Sequence, residues 1–480
     1  MSILVIDAGT SGIRAAIVQP DGTLTADYHA EALPLSPAPG LVEFDAAVYA
    51  DTAIELATTA LVHHGTVEGV GISNQRASTV VWDRNTGEPV AAAQGWQDLR
   101  TVGDCLVLAA EGFRFAPNQS ATKLANILDI VDPDRDRDLC FGTPDSWLIW
   151  RLTAGAVHVT DASNAWVTGL MDPSTGTWSE PILARLRIDA ATMPVVVDSI
   201  GAIGVASALP GDPPICGVAG DQQASLVGQG CVRPGMTKIT FGTGGMLDTF
   251  LGADPPTGDH RYDGGTFPLV CWQRDGERTF GLEAIMLSAG TNVQWLRDDL
   301  GLIDSAEASA EVAAGCESSE GVTYVPAQLG LGTPRWDYGA RGALLGLTRG
   351  SNRAHVVRAV LEGVAQRGAD LVEAAETDAG ITIETLRIDG GMSANPVFRQ
   401  ALADATGRPV EVAPVREATS LGAAYLAGIE LGTWSGWDDV AALWRPAARI
   451  EPKAGFDRER WRQALDRAAG WYGDLSALDF

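Results

Sequence analysis

Short apolar runs separated by glycine-rich polar turns set the pattern of this chain. Ile3 to Ile6 reads as a strand, Asp7-Ala8-Gly9-Thr10-Ser11-Gly12 as a polar turn, and Ile13 to Val18 as the returning strand. The device recurs: Thr237 to Phe241 runs into Gly242-Thr243-Gly244-Gly245, and Met246 to Leu251 returns. A third variant has Thr385 to Ile388 as a strand ending in Asp389-Gly390-Gly391, with Asn395-Pro396 opening a helix towards Ala405. Ile215 to Ala219 is a further apolar strand, ending at Gly220-Asp221-Gln222-Gln223 before the helical spacing of Ala224 to Gly228. The tail from Trp434 to Phe480 reads as helices packed over a second domain.

The turns carry the first chemical hint. Glycine lets backbone N–H groups approach a phosphate closely, and serine or threonine hydroxyls add donors without bulk. One such hairpin is an ordinary turn. Two matched copies, facing each other from two domains, would clamp a polyphosphate, and the third element offers a strand end and a helix N-terminus for a nucleotide's polar edge. Asp221, at the carboxyl end of its strand, faces the crevice where α/β proteins bind ligands. Its position just ahead of the second hairpin aims a carboxylate at whatever accepts the terminal phosphate.

Composition bounds the rest. A chain of 480 residues, 46% hydrophobic and 20% charged, holds enough apolar material for two or three domains. The net charge of −27 argues against nucleic acid or an anionic membrane leaflet as a partner. Six scattered cysteines show no metal or redox spacing, and no apolar run reaches the roughly 18 residues of a membrane span. A cytoplasmic protein with reduced thiols is expected. Only three lysines occur (Lys123, Lys238, Lys453), and none follows a glycine, so a Walker A loop is excluded. The motifs of protein kinases, of serine hydrolases and of zinc proteases are also missing. The six histidines, His29, His63, His64, His158, His260 and His355, read as surface or helix-cap residues.

Longer motifs join these turns. Gly71-Ile72-Ser73-Asn74-Gln75-Arg76, Trp96-Gln97-Asp98, Gly142-Thr143-Pro144-Asp145-Ser146-Trp147, His158-Val159-Thr160-Asp161 and Gly342-Ala343-Leu344-Leu345-Gly346-Leu347 stand in order along the chain. With them the sequence resembles the FGGY carbohydrate kinases over nearly its whole length, most closely their glycerol kinase branch. The resemblance implies two duplicated ribonuclease-H-like α/β domains, of the actin and sugar kinase type, around a central cleft. Residues 1–230 would bind the acceptor and residues 231–480 the nucleotide. It implies that Thr10, Ser11, Gly12 and Arg14 form the first phosphate loop, with Thr243 and Gly244 forming the second. Gly290, Gln294, Gly391 and Asn395 are similar to adenosine contacts. Asp221 is similar to the family's catalytic base, and Gln75, Arg76, Trp96, Asn118 and Gln222 line the acceptor site. The cofactors implied are ATP and Mg2+, the metal held by Asp7 through water, and relatives of this kind are commonly dimers or tetramers.

Four positions depart from the glycerol kinase pattern. A glutamate is expected where Ala77 stands, a tyrosine at Asn118, a phenylalanine at Met246 and a tryptophan at Asn126. The first two enlarge the expected pocket. The acceptor is therefore glycerol, or else a four- or five-carbon polyol or ketose. An ATP-binding regulator of the same fold, lacking an acceptor, is the remaining alternative.

Overall fold

The computed structural model describes residues 2–255, 261–415 and 417–480. His260 lies outside them. Thirteen strands form one sheet: β1 Ile3–Ala8, β2 Gly12–Val18, β3 Leu24–Glu31, β4 Gly69–Asn74, β5 Ile200–Val205, β6 Pro214–Gly220, β7 Thr237–Phe241, β8 Gly245–Gly252, β9 Phe267–Arg274, β10 Glu277–Met286, β11 Leu386–Asp389, β12 Val410–Val412 and β13 Ala448–Ile450. Their spatial order is β13-β12-β11-β7-β8-β10-β9-β5-β6-β4-β1-β2-β3.

That order contains the same unit twice. In the first half β1 pairs antiparallel with β2, which pairs antiparallel with β3, while β4 and then β6 add in parallel on the other side. In the second half β7 pairs with β8 and β8 with β10, both antiparallel, while β11 and β12 add in parallel. Among the described residues the strand pairing between the two half-sheets is the bridge Ile200 to Arg274. Strand β1 is an almost continuous buried run because it is covered on both faces, whereas β3 alternates half-buried and exposed positions as an outer strand does.

Six helices matter for the site: α1 Ala46–His64, α2 Asp221–Gly228, α3 Thr291–Asp298, α4 Arg353–Ala379, α5 Pro396–Thr406 and α6 Ala418–Glu430. Helix α4 starts with a capping box between Asn352 and His355 and ends at Gly380 in the left-handed conformation (φ 63°). His355 is thus a cap residue, as its sequence context implies. His158 is not a surface residue: it packs against Trp82 and Trp150, its Nε2 lies 2.7 Å from the Phe141 carbonyl, and burial lowers its pKa to about 4.

Helix α6 comes late in the chain but lies on β1, β4 and β6 of the first half and crosses α2. Small residues allow this. A Cβ on Gly71 would collide with the Ala423 carbonyl, one on Gly228 with that of Ala418, and one on Gly422 with that of Ala224. The helices therefore approach backbone to backbone.

The tail departs from the expectation of helices over the second domain alone. It contributes helices at Trp437–Leu443 and Arg458–Ala468, but also β13, which extends the sheet edge beside β12. Its front end packs on the first half, where Trp434 shares a core with Ile3, Val5 and Val18 and donates its indole N–H to the Pro20 carbonyl (3.2 Å). Aromatic content alone does not say which half a tail covers.

Candidate active site

Asp221 is the first residue of α2, immediately after β6, with Gly220 as the N-cap. Its carboxylate does not cap the helix in the usual way. Oδ1 accepts from the Gln222 N–H at 2.8 Å and lies 3.4 Å from Arg76 Nε. Burial raises the Asp221 pKa, against the pull of Arg76, the Gln222 N–H and Lys238. Arg76, which follows β4, also reaches across to Glu283 on β10 at 2.6 Å, so one guanidinium joins carboxylates from both halves of the chain.

Gln222 is held as well. Its Oε1 accepts from Lys238 Nζ at 2.6 Å, and that ammonium also donates to Thr240 Oγ1 at 3.0 Å and lies 2.6 Å from Asp248 Oδ2. Lys238, on β7, is fully buried opposite Asp248 on β8, and burial raises the Asp248 pKa while Lys238 opposes it. Gln75 is buried, its amide engaged with Tyr49 and Ser78. Trp96 is half-buried, Asn118 is exposed on the segment before helix Ser120–Val131, and Ala77 is buried with φ 58°.

The first hairpin closes as the sequence suggests: the Gly9 N–H bonds the Gly12 carbonyl at 2.9 Å, with Ser11 exposed and Thr10 half-buried at the tip. Tyr49 on α1 donates to the carbonyls of Ala8 and Gly9. Asp7, next to last in β1, lies opposite Arg14 on β2, and Arg14 pairs with Asp27 and lies 3.5 Å from Glu417. Ser420, on α6, donates to Asp7 Oδ2 at 3.1 Å. Burial, with some repulsion from Asp221, raises the Asp7 pKa to about 6 even though Ser420 and Arg14 lower it.

The second hairpin is fastened to the start of α3 and packs against the third element. The N–H groups of Ala289 and Gly290 bond the carbonyls of Thr243 and Gly242, both at 2.9 Å, and Gly290 caps α3, on which Gln294 is exposed. Gly390 takes φ 82°, where a side chain would strike Phe241, and Gly391 opens a short 3-10 turn. Asn395 then caps α5, accepting from the N–H groups of Val397 and Phe398 and donating to Ser309 Oγ at 2.9 Å. Gly242 and Gly391 face open space, while a Cβ at Gly244 would lie 2.7 Å from the Met286 carbonyl. A glycine-floored cradle is the result, bounded by the tip of the second hairpin and the start of α3.

Sequence reasoning passed over Tyr49, Ser78, Lys238, Asp248, Glu283 and Ser420. Lys238 alone carried a signal, being one of three lysines and set within an apolar strand.

This arrangement of duplicated domains, paired glycine hairpins and a strand-end carboxylate defines a carbohydrate kinase. The chain belongs to the FGGY family of carbohydrate kinases, whose N-terminal domain matches residues 2–228 and whose C-terminal domain matches residues 238–431. It is 43% identical to the glycerol kinase of Aromatoleum aromaticum, covering 98% of this chain and 99% of that one. To the glycerol kinase of Dechloromonas aromatica it is 42% identical, over 98% of each. Among solved structures, Plasmodium falciparum glycerol kinase with ADP superposes with a TM-score of 0.89 at 29% identity, covering 100% of this chain and 99% of that one. A ligand-bound xylulose kinase from Lactobacillus acidophilus, at TM-score 0.86 and 19% identity over 99% and 98%, shares the fold. No helix among the described residues is long and apolar enough to cross a membrane.

Proposed function

We propose that this protein is a cytosolic kinase that transfers the terminal phosphoryl group of ATP to a primary hydroxyl of glycerol, with Asp221 as general base. The observation that carries this reading is the Asp221 carboxylate, beside Arg76 and Gln222 at the end of β6, a strand that stands in the sheet between the β1–β2 and β7–β8 hairpins. Asp221 accepts the hydroxyl proton as the oxygen attacks in line, while hairpin donors spread the charge on the transferred group. Arg76 and Gln222 orient the acceptor.

The donor set at Asp7 fits Mg2+. It is a single half-buried carboxylate with a serine donor on one oxygen. A hard dication that keeps most of its water shell needs only one or two such carboxylate oxygens from the protein. Asp7 would hold the ion through water, and the ion would neutralise phosphate charge.

The test is ADP release measured across glycerol, erythritol, xylitol, arabitol, ribulose and xylulose. Glycerol should give acceptor-dependent turnover, and Asp221→Asn should lower kcat by roughly 10² to 10⁴, the range for a positioned acid or base. ADP release indifferent to every acceptor would leave an ATP-binding regulator. Saturation only by a longer polyol or ketose would reassign the substrate to the pocket opened by Ala77 and Asn118.

A further inference from the structure

A closed circuit of hydrogen bonds links the tip of the first hairpin to the acceptor wall. The indole N–H of Trp96 donates to Thr10 Oγ1 at 3.0 Å. The backbone N–H of Trp96 donates to Ser78 Oγ at 3.0 Å, and Ser78 Oγ donates to Gln75 Oε1, also at 3.0 Å. Gln75 Nε2 donates to Tyr49 OH at 3.3 Å, and Tyr49 OH donates to the carbonyls of Ala8 and Gly9, next to Thr10.

The donors and acceptors along this circuit fix its sense. An indole N–H can only donate, so Thr10 Oγ1 must accept, and the hydroxyl proton of Thr10 must point elsewhere. Among the described residues no group accepts that proton. Every other hydroxyl in the circuit donates to a partner, which leaves the Thr10 O–H as its one hydroxyl donor without one, at the half-buried tip of the hairpin. We infer that Trp96 is a positioning residue: its N–H orients the Thr10 hydroxyl as a donor towards the phosphoryl group, while its ring forms part of the acceptor wall. Filling the acceptor pocket therefore presses on the residue that aims a phosphate donor. This inference rests on the kinase reading above.

The sequence shows Trp96 and Thr10 86 residues apart, and neither the indole's direction nor the chain of Tyr49, Gln75 and Ser78 is visible in it. The circuit also gives the buried Gln75 a role that direct contact with an acceptor would not.

The test is a double-mutant cycle in the full-length protein with Mg-ATP and a saturating acceptor, measuring kcat and both KM values. Thr10→Val should lower kcat by ~10²-fold, the scale for losing one preorganised donor to a developing oxyanion. Trp96→Phe keeps a flat ring but removes the N–H, and should lower kcat by roughly ten-fold, a fraction of that same donor's effect. The double variant should be no slower than Thr10→Val, because residues acting through one another are non-additive. Thr10→Ser, which keeps the hydroxyl, should restore turnover. The inference is overturned if Trp96→Phe raises only the acceptor KM, if the double variant falls to the product of the single losses, or if Thr10→Ser is as slow as Thr10→Val. Wild-type protein without acceptor-dependent ADP release would instead defeat the kinase reading, so the two failures are distinguishable.

Discussion

Replacing Asp7 by asparagine should destroy activity and yet stabilise the fold. With its pKa raised from 3.8 to about 6, Asp7 is a carboxylate held where its charged form is disfavoured. At about 1.4 kcal/mol per unit, that shift corresponds to roughly 3 kcal/mol at most. The sign follows from proton counting: the folded state binds the proton more tightly, so the cost is fully present above pH 6 and fades as the pH falls towards 4. Asparagine keeps an acceptor for Ser420 and carries no charge. For a chain of this size 3 kcal/mol corresponds to a rise of about 3 °C in the unfolding midpoint. The assay is thermal unfolding of both proteins, at one scan rate, between pH 4 and 8. The variant should melt higher at pH 7 and equally at pH 4, and Mg-ATP should stabilise the wild type far more. A gain that persists unchanged at pH 4, or no gain at pH 7, would refute the argument.

Other outcomes follow from the same geometry. The acid limb of kcat/KM should lie above the ~3.9 of a free aspartate, activity being lost as pH falls through the raised Asp221 value, and Arg76→Gln, which removes the cation that holds that value down, should move the limb further up. Lys238→Met should cost about 3 to 5 kcal/mol in denaturant unfolding because it strands Asp248 in the interior, and adding Asp248→Leu should recover most of it. Gly422→Ala should destabilise by about 3 kcal/mol, since its methyl meets the Ala224 backbone and no flexible side chain can yield.

What was legible in the sequence was local. The hairpins at Gly9 to Gly12 and Gly242 to Gly245, the strand end at Asp221 and the cap at Asn395 declare themselves because a tight turn or helix start needs those residue types at adjacent positions. Contacts made by distant parts of the chain were not legible. Arg76 meets Glu283 across 207 positions, and Ser420 meets Asp7 across 413. Gln75 sits beside Arg76 in sequence, but the turn after β4 sends its amide inward to Tyr49, a partner 26 positions away that the motif does not announce. The tail misled for a related reason, since a three-residue strand such as Ala448–Ile450 is too short to leave a periodic trace.

The seating of α6 on the first half has a consequence for biosynthesis. Until residue 430 has left the ribosome, the growing chain lacks the helix that roofs β1, β4 and β6 and supplies the donor to Asp7. A fragment ending near position 230 would carry an uncovered trough floored by Gly71 and Gly217, and its recovery in soluble form would depend on supplying the remainder. Nascent chains thus contain both glycine tips long before they contain a finished cleft, and competence arrives only when the far end folds back.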